Sequence, residues 1–366
     1  MRINIAKPDI GEEEISEVSR VMRSGMIASG PETKLFEEEF AKFVGSKYAC
    51  AVNNGTSALS VALSAAGIGH GDEVITTPLT FVATANAILS CGAIPVFADI
   101  NENTFNLSAA SVKKMINEKT RAIMPVHLYG LAAEMDQFRD IADEFGIVII
   151  GDAAQAHGAE INDKIVGTLA DLECFSFYPT KNMTTGEGGM VTTNDEQLFK
   201  LIKSISNHGR PTNTLGTYEY ERFGLNLRLT DIGSAIGRVQ LKKLKSLNER
   251  RKKNAELMSK LLYGINGIKL PEVPLGYVHC WHQYTIRVKN RLDLVKYLKD
   301  RGIGTGIYYP RLIYDYPHLE KFMNDCPVAK SLVNEVVSIP IHPGLDKVDI
   351  IEIAETIKKW SLGISR

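Results

Sequence analysis

The sequence has almost no net charge. Across 366 residues, 42 Lys and Arg face 43 Asp and Glu, a formal charge of −1. No field of one sign exists to hold nucleic acid or an anionic membrane surface, so neither is expected as a partner. Long apolar runs are missing too. The stretch Ile147 to Ile150 is typical, and far too short to span a bilayer. Residues Met1 to Pro8 lack the apolar core of a signal peptide. Cysteine is sparse and unpaired in pattern: Cys50, Cys91, Cys174, Cys280 and Cys326 are odd in number and form no C-x-x-C. That excludes a disulfide framework and reads as packed thiols in a cytoplasmic protein. Repeats and low-complexity segments are absent. What is present, 44% apolar and 23% charged residues, excludes a fibrous or mainly disordered chain. The length suits two domains at roughly 150 residues each.

Between about residues 45 and 205 helix and strand patterns alternate. After a strand-like run at Tyr48–Val52, the predicted strands are Val74–Thr77, Ile94–Asp99, Ala122–Val126, Val148–Asp152, Glu173–Phe177 and Met190–Thr193. Each is short, apolar and partly β-branched. Helical patterns lie between them at Ser57–Ala66, Phe81–Cys91, Ala109–Ile116, Met135–Phe145 and Asp195–Ser206. Alternating βα units predict an α/β fold with a mainly parallel sheet covered by helices. Residues 210–225 read as a loop, and a long Lys- and Arg-rich helix follows over Asp231 to Leu262. A second, smaller α/β unit is expected from strand Tyr284–Val288, helix Leu292–Arg301, strand Ile303–Tyr308, strand Val337–Ile341 and helix Val348–Trp360. The expected division is a large domain at 1–245 and a small C-terminal domain at 246–366, the latter including the linking helix.

In a parallel sheet, active residues sit beyond the carboxyl ends of strands. Three motifs fall there. Asn53-Asn54-Gly55-Thr56-Ser57-Ala58-Leu59 ends a strand and opens a helix. A helix N-terminus offers free N–H groups and a positive dipole end to a phosphate, although the same residues suit an ordinary capped helix. Val148 to His157 is an apolar strand that ends in Asp152, with Gln155 three residues on. A carboxylate there can hold a protonated ring nitrogen, or cap a helix. Lys181 lies 29 residues beyond Asp152, just past the next strand and before Gly186-Glu187-Gly188-Gly189. A lysine amine forms a Schiff base with an aldehyde once its pKa falls. Lysine, strand-end carboxylate and phosphate-binding helix are what pyridoxal phosphate needs.

With these motifs the sequence resembles the DegT/StrS sugar aminotransferases, pyridoxal-phosphate enzymes of fold type I. The resemblance covers nearly the whole chain. It includes Ser29-Gly30-Pro31-Glu32, Gly71-Asp72-Glu73-Val74-Ile75, Thr80-Phe81-Val82-Ala83-Thr84 and Pro125-Val126-His127-Leu128-Tyr129-Gly130. It also includes Asp152-Ala153-Ala154-Gln155, Ser176-Phe177, Lys181, Asn207-His208-Gly209, Gly224 to Arg228 and Ile339 to Pro343. It implies an aspartate-aminotransferase-like fold. Lys181 would carry the cofactor aldehyde and shuttle protons, and Asp152 would face the pyridine nitrogen. Gln155 would touch the 3-hydroxyl side, and Phe81 would stack on the ring. Gly55, Thr56, Ser57 and Ser176 would cradle the phosphate, with Asn226 coming from the other subunit of a homodimer. Arg228, Tyr308 and Tyr309 are expected near the substrate. The implied reaction moves an amino group from L-glutamate to a nucleotide-diphosphate-linked keto-sugar. This chain has Met26 where relatives commonly have Trp, and Tyr308-Tyr309-Pro310 where many have His-Tyr-Pro. A lysine-to-histidine branch of the family dehydrates sugars; Lys181 argues against it.

Other features carry less. Gly67-Ile68-Gly69-His70-Gly71 follows a helix rather than a strand, so a dinucleotide reading fails. His279-Cys280-Trp281-His282 has no further ligands nearby, and no metal is expected. The basic residues 242–253 read as the solvated face of a long helix. Two alternatives stay open on the sequence. One is another pyridoxal-phosphate reaction, an elimination or the amination of a non-sugar ketone. The other is a regulatory protein that keeps the cofactor without turnover.

Overall fold

The short β-branched and apolar runs have two sides to bury, and each pairs with neighbours that also do. The computed structural model describes residues 1–211 and 218–363, so the middle of the loop expected at 210–225 lies outside the described residues. Two helices, α1 (Glu12–Ser24) and α2 (Pro31–Val44), precede strand β1 (Tyr48–Val52). Helix and strand then alternate through α3 (Gly55–Ala65), β2 (Glu73–Thr76), α4 (Ala83–Ser90), β3 (Ile94–Phe97), α5 (Ala109–Met115), β4 (Thr120–Met124), α6 (Met135–Phe145) and β5 (Val148–Asp152). A small hairpin, β6 (Glu160–Ile161) with β7 (Lys164–Ile165), leads to β8 (Leu172–Ser176), β9 (Gly189–Thr193) and α7 (Glu196–Ile205).

Seven of these strands form one sheet in the order β1-β9-β8-β5-β4-β2-β3. Neighbours from β3 to β8 are parallel, while β9 runs against both β8 and β1. The predicted mainly parallel sheet is present, with one reversed strand. Successive side chains of a strand point to opposite faces. Ile75, Ile149 and Phe175 therefore join the cluster around Phe36, Phe40 and Phe177, while Val74, Ile150 and Cys174 join the cluster around Leu59 and Leu63. Both faces are buried, as the continuous apolar runs require. The five cysteines are all free, and every one except Cys91 is buried.

The chain continues through α8 (Asp231–Leu262), β10 (Ile268–Lys269), β11 (Tyr277–Val278), β12 (Tyr284–Val288), α9 (Arg291–Asp300), α10 (Pro327–Leu332), β13 (Val336–Ile339) and α11 (Lys347–Ser361). Strands β10, β12 and β13 form a second, antiparallel sheet, backed by a cluster of Tyr284, Ile286, Val337, Ile353 and Ile357. Ile3 packs into that cluster, so the first residues lie against the C-terminal unit. Two expectations need correction. Ile303–Tyr308 is not a strand: Ile303 and Gly306 make only isolated bridges, to Ile3 and Ser338. Gly304 and Gly306 interrupt that run, and glycine weakens a strand by its backbone freedom and missing side chain. The basic stretch of α8 is mostly solvated, but Arg251 is buried, with its Nη1 donating to the carbonyls of Trp281 and His282 at 3.1 and 3.4 Å.

One polar contact ties distant parts of the chain together. Asp231, at the first turn of α8, is 1% exposed. Its carboxylate accepts the backbone N–H of Gly30, Glu32 and Thr33 at 2.7, 3.2 and 3.0 Å, and the Thr33 hydroxyl at 2.7 Å. It thus caps α2 from 200 residues away, at the end where a negative charge is favoured. Replacing it by Ala would leave several buried donors unpaired. Asp231→Ala should cost about 2–3 kcal/mol of stability, read as a lower denaturant midpoint by circular dichroism. A midpoint unchanged from wild type would show that α2 does not depend on this cap.

Candidate active site

At the carboxyl edge of the large sheet a cavity of about 510 Å³ opens. The start of α3, the segment at Thr80 and Phe81, the ends of β5 and β8 and the loop carrying Lys181 all line it, as do His282, Gln283, Tyr308 and Tyr309 from beyond α8. Another groove, of about 680 Å³, lies on the C-terminal unit, but its Arg287 and Glu335 are paired with each other.

Asp152 ends β5, the strand that pairs with β8 through Asp152 and Cys174. It is 5% exposed. Its Oδ2 accepts the Thr84 hydroxyl at 2.8 Å, and its Oδ1 accepts the Ala154 N–H at 3.2 Å. Thr80 in turn contacts Thr84 at 3.0 Å. Burial pushes the carboxyl above the usual range, while the Thr84 and Ala154 hydrogen bonds and the Lys181 charge pull it back. Each oxygen keeps an acceptor site for a further donor.

Gln155 is oriented by its neighbours. Its Oε1 accepts the Tyr129 N–H at 2.8 Å, which leaves Nε2 as the outward end. Nε2 donates to the Tyr309 hydroxyl at 3.1 Å and has a second hydrogen to offer. Tyr129 holds φ at 59°, and its hydroxyl donates to the Tyr308 carbonyl.

Lys181 follows β8 on a loop whose turn is closed by its own N–H donating to the Tyr178 carbonyl at 2.9 Å. Burial lowers its amine to about 8, against the opposing pull of Asp152. Nearby, His157 is buried between Phe175 and Phe177, and burial lowers it to about 3, so it is neutral near pH 7.

The first turn of α3 is capped by Asn54, whose side chain accepts the Ser57 N–H at 2.8 Å. The Gly55 and Thr56 N–H groups have no acceptor among the described residues. Gly55 lies against the end of β8: a Cβ there would stand 2.7 Å from the Ser176 Cβ. Only glycine lets the helix start this close to the strand.

The structure therefore brings together nine of the residues expected from sequence: Gly55, Thr56, Phe81, Asp152, Gln155, Ser176, Lys181, Tyr308 and Tyr309. Three stand outside the cavity wall. The Ser57 N–H is taken by the Asn54 side chain, and Ser57 does not line the cavity. Asn226 is exposed and bridges Asn207, and Arg228 donates to Asn207 Oδ1 at 2.6 Å. Sequence reasoning missed Thr84 and His282 as wall residues. A hydroxyl one helical turn from Thr80 was the only hint of the first. Among the described residues no cluster suits a metal ion, and no helix is long and apolar enough to cross a membrane.

The pattern of the DegT/DnrJ/EryC1/StrS aminotransferase family matches residues 8–358. The chain belongs to this family. Among DegT/DnrJ/EryC1/StrS relatives it is 38% identical to GDP-perosamine synthase of Caulobacter vibrioides, covering 95% of each chain. It is 36% identical to the dTDP-3-amino-3,4,6-trideoxy-alpha-D-glucose transaminase of Streptomyces venezuelae, over 98% of this chain and 95% of the other. Spr1654 of Streptococcus pneumoniae, solved in its PLP form, superposes with a TM-score of 0.93 at 29% identity over 100% of both chains.

The lowered amine of Lys181 is directly measurable. Only a deprotonated amine is alkylated, so reductive methylation of Lys181 in cofactor-free protein should titrate with a midpoint near 8. An unperturbed lysine amine in a model peptide titrates near 10.4, which sets the scale for the comparison. Peptide mass spectrometry reads each site. A Lys181 midpoint equal to that of the surface lysines would remove burial as its activating force.

Proposed function

We propose that the chain is a pyridoxal-phosphate-dependent aminotransferase acting on L-glutamate and a nucleotide-diphosphate-linked keto-sugar, yielding an amino sugar for a glycan or a secondary metabolite. One observation carries the reading: Lys181 and Asp152 share a cavity that opens at the N-terminus of α3. The relatives named for GDP- and dTDP-linked sugars support the substrate class, and the PLP form of Spr1654 supports the cofactor.

The residues fit that cofactor. Asp152 has acceptor sites for a protonated ring nitrogen, which would also restore the charge that burial disfavours. Gln155 Nε2 has a spare hydrogen for the 3-hydroxyl side. The Phe81 ring is 57% exposed at the cavity and available to stack. Gly55, Thr56 and Ser176 offer amides and hydroxyls to a phosphate, with Ser57 behind them. When bound, the cofactor supplies an electron sink for a carbanion on the amino substrate.

Lys181 Nζ would hold the aldehyde end of the cofactor, and its free amine would take the proton from the donor's α-carbon as a base and return it as an acid. An amine near 8 is suited to both directions around neutral pH. Asp152 would keep the proton on the ring nitrogen and so steady developing negative charge. Arg228, Tyr308 and Tyr309 are assigned to the sugar nucleotide. Asn226 is assigned to the phosphate of a second copy, in a homodimer. Its exposure, and that of Phe223 at 82%, support a contact made outside this chain. The cytoplasm is the proposed compartment, supported by five free cysteines.

The deciding experiment is the visible spectrum of purified protein with pyridoxal phosphate. A yellow band should bleach with L-glutamate and return with a keto acid. A band indifferent to glutamate would point to another donor, another pyridoxal reaction or a regulatory role. Lys181→Ala should abolish transamination with the fold intact; wild-type turnover would sink the assignment. Asp152→Asn should lower the rate by orders of magnitude while phosphate still binds. An undiminished rate there would give the ring nitrogen to another group.

A further inference from the structure

His282 sits in the cavity wall with its ring orientation settled by a chain of amides. Asn248, in the middle of α8, donates from Nδ2 to the His157 carbonyl at 2.8 Å. A carbonyl only accepts, so the other end of that amide is oxygen. Asn248 Oδ1 accepts Asn182 Nδ2 at 2.8 Å, and the same Nδ2 donates to the Cys280 carbonyl at 2.7 Å. Asn182 Oδ1 is thereby an acceptor as well. It lies 3.3 Å from His282 Nδ1. That nitrogen must carry the hydrogen, and Nε2 of a neutral ring is then a bare lone pair.

The ring is neutral first of all because it is buried. His282 is 6% exposed, and burial holds it well below the usual histidine range. The charges of Lys181 and Arg251 push the same way, and His157 and His279 would add to this only if protonated. Its backbone is fixed too: Trp281 takes φ 51°, Arg251 holds the carbonyls of both residues, and the Gln283 N–H donates to the Tyr129 carbonyl at 3.0 Å.

Lys181 directly precedes Asn182, the residue that orders the ring, and it lines the same cavity as His282. Lys181 Nζ makes no hydrogen bond to His282 or to any other described side chain, so the free amine has no fixed direction while its charge is felt at the His282 ring across the shared cavity. We propose that His282 is a positioning residue for Lys181: fixed in the Nδ1–H form by Asn182 and Asn248, it presents Nε2 as the hydrogen-bond acceptor that directs the free Lys181 amine. This rests on the reading of Lys181 as the proton-carrying lysine.

The two amide replacements of histidine separate this role from a structural one. Asn keeps a donor near Nδ1 and deletes the acceptor at Nε2; Gln keeps an acceptor near Nε2 and deletes the donor. His282→Asn should retain the fold and slow the glutamate half-reaction by about 10²-fold with little change in the glutamate KM, the scale expected for a misdirected group. His282→Gln should recover most of that rate. If His282 only braces Asn182, the order reverses, and that result, or an unaffected Asn variant, overturns the proposal. The second measurement needs no cofactor. Imidazole ¹⁵N shifts of cofactor-free wild-type protein, with the His282 ring assigned by nuclear Overhauser contacts to the Asn182 side-chain amide, should report the Nδ1–H form unchanged from pH 6 to 8. An Nε2–H form, or a ring that protonates in that range, overturns it even if both variants misfold. A wild-type enzyme inert to glutamate would instead refute the proposed function and leave the ring assignment standing.

Discussion

The close approach of α3 to the ends of β8 and β9 is the constraint on which the site depends. Two missing side chains permit it. A Cβ on Gly55 would meet Ser176, and a Cβ on Gly189 would stand 2.4 Å from the Asn54 carbonyl. With both absent, the N-cap of α3, the last residue of β8 and the first residue of the reversed strand β9 converge within one small volume. The unpaired amides of the helix then share a cavity with the groups that follow β5 and β8. Had β9 continued the parallel run, a crossover would have had to leave from this edge. Running it antiparallel lets the Lys181 loop return at once into the sheet, which keeps the lysine beside the strand ends rather than on a distant connection.

The cavity's low polarity acts on its acid and its base in opposite senses. It raises Asp152 and lowers Lys181, because burial penalises whichever form is charged. For the lysine this is directly useful, since a neutral amine is the nucleophile. For the aspartate it creates a demand: a buried carboxyl with only two hydrogen bonds is best ionised when a cation faces it. The Thr84 hydroxyl and the Ala154 amide hold the carboxylate in place without neutralising it. One environment thus activates the base and makes the acid selective for a cationic partner.

What was legible in the sequence followed from short-range rules. Asp152, Lys181 and Gly55 could be placed because each stands at the end of an apolar run, and strand ends are where a parallel sheet exposes chemistry. The helix at Met135–Phe145 and the strand at Val148–Asp152 were read with their observed ends because their periodicities are clean. The run at 303–308 misled because its apolar residues outvoted two glycines whose backbone freedom disfavours a ladder. Arg251 looked solvated because its neighbours are. Only the tertiary fold, which turns that face of α8 toward the carbonyls of 281 and 282, buries it. His282 was weighed only as a metal ligand, and its place in the cavity was missed for the same reason. It lies 101 residues beyond Lys181, and what matters is its tautomer, which depends on Asn182 and Asn248 arriving from two other parts of the chain.

These long-range contacts converge on α8. Its first turn caps α2 through Asp231, its middle supplies Asn248 and Arg251 to the polar groups behind His282, and its last turns bury Ala255, Met258 and Leu262 in the C-terminal cluster. A helix of 32 residues is stiff over that distance, so the three roles cannot shift independently. The residues that C-terminal sequence contributes to the cavity, from His282 to Tyr309, are therefore set in place relative to Lys181 by a rod fixed at both ends. Asn248 bonds to both the His157 carbonyl and Asn182, which links that rod to β5 and β8 at once. Replacing Asn248 should disturb the lysine side of the cavity while leaving Asp152 held as before, because Asp152 is anchored by Thr84 and Ala154 and makes no contact with α8 through those partners.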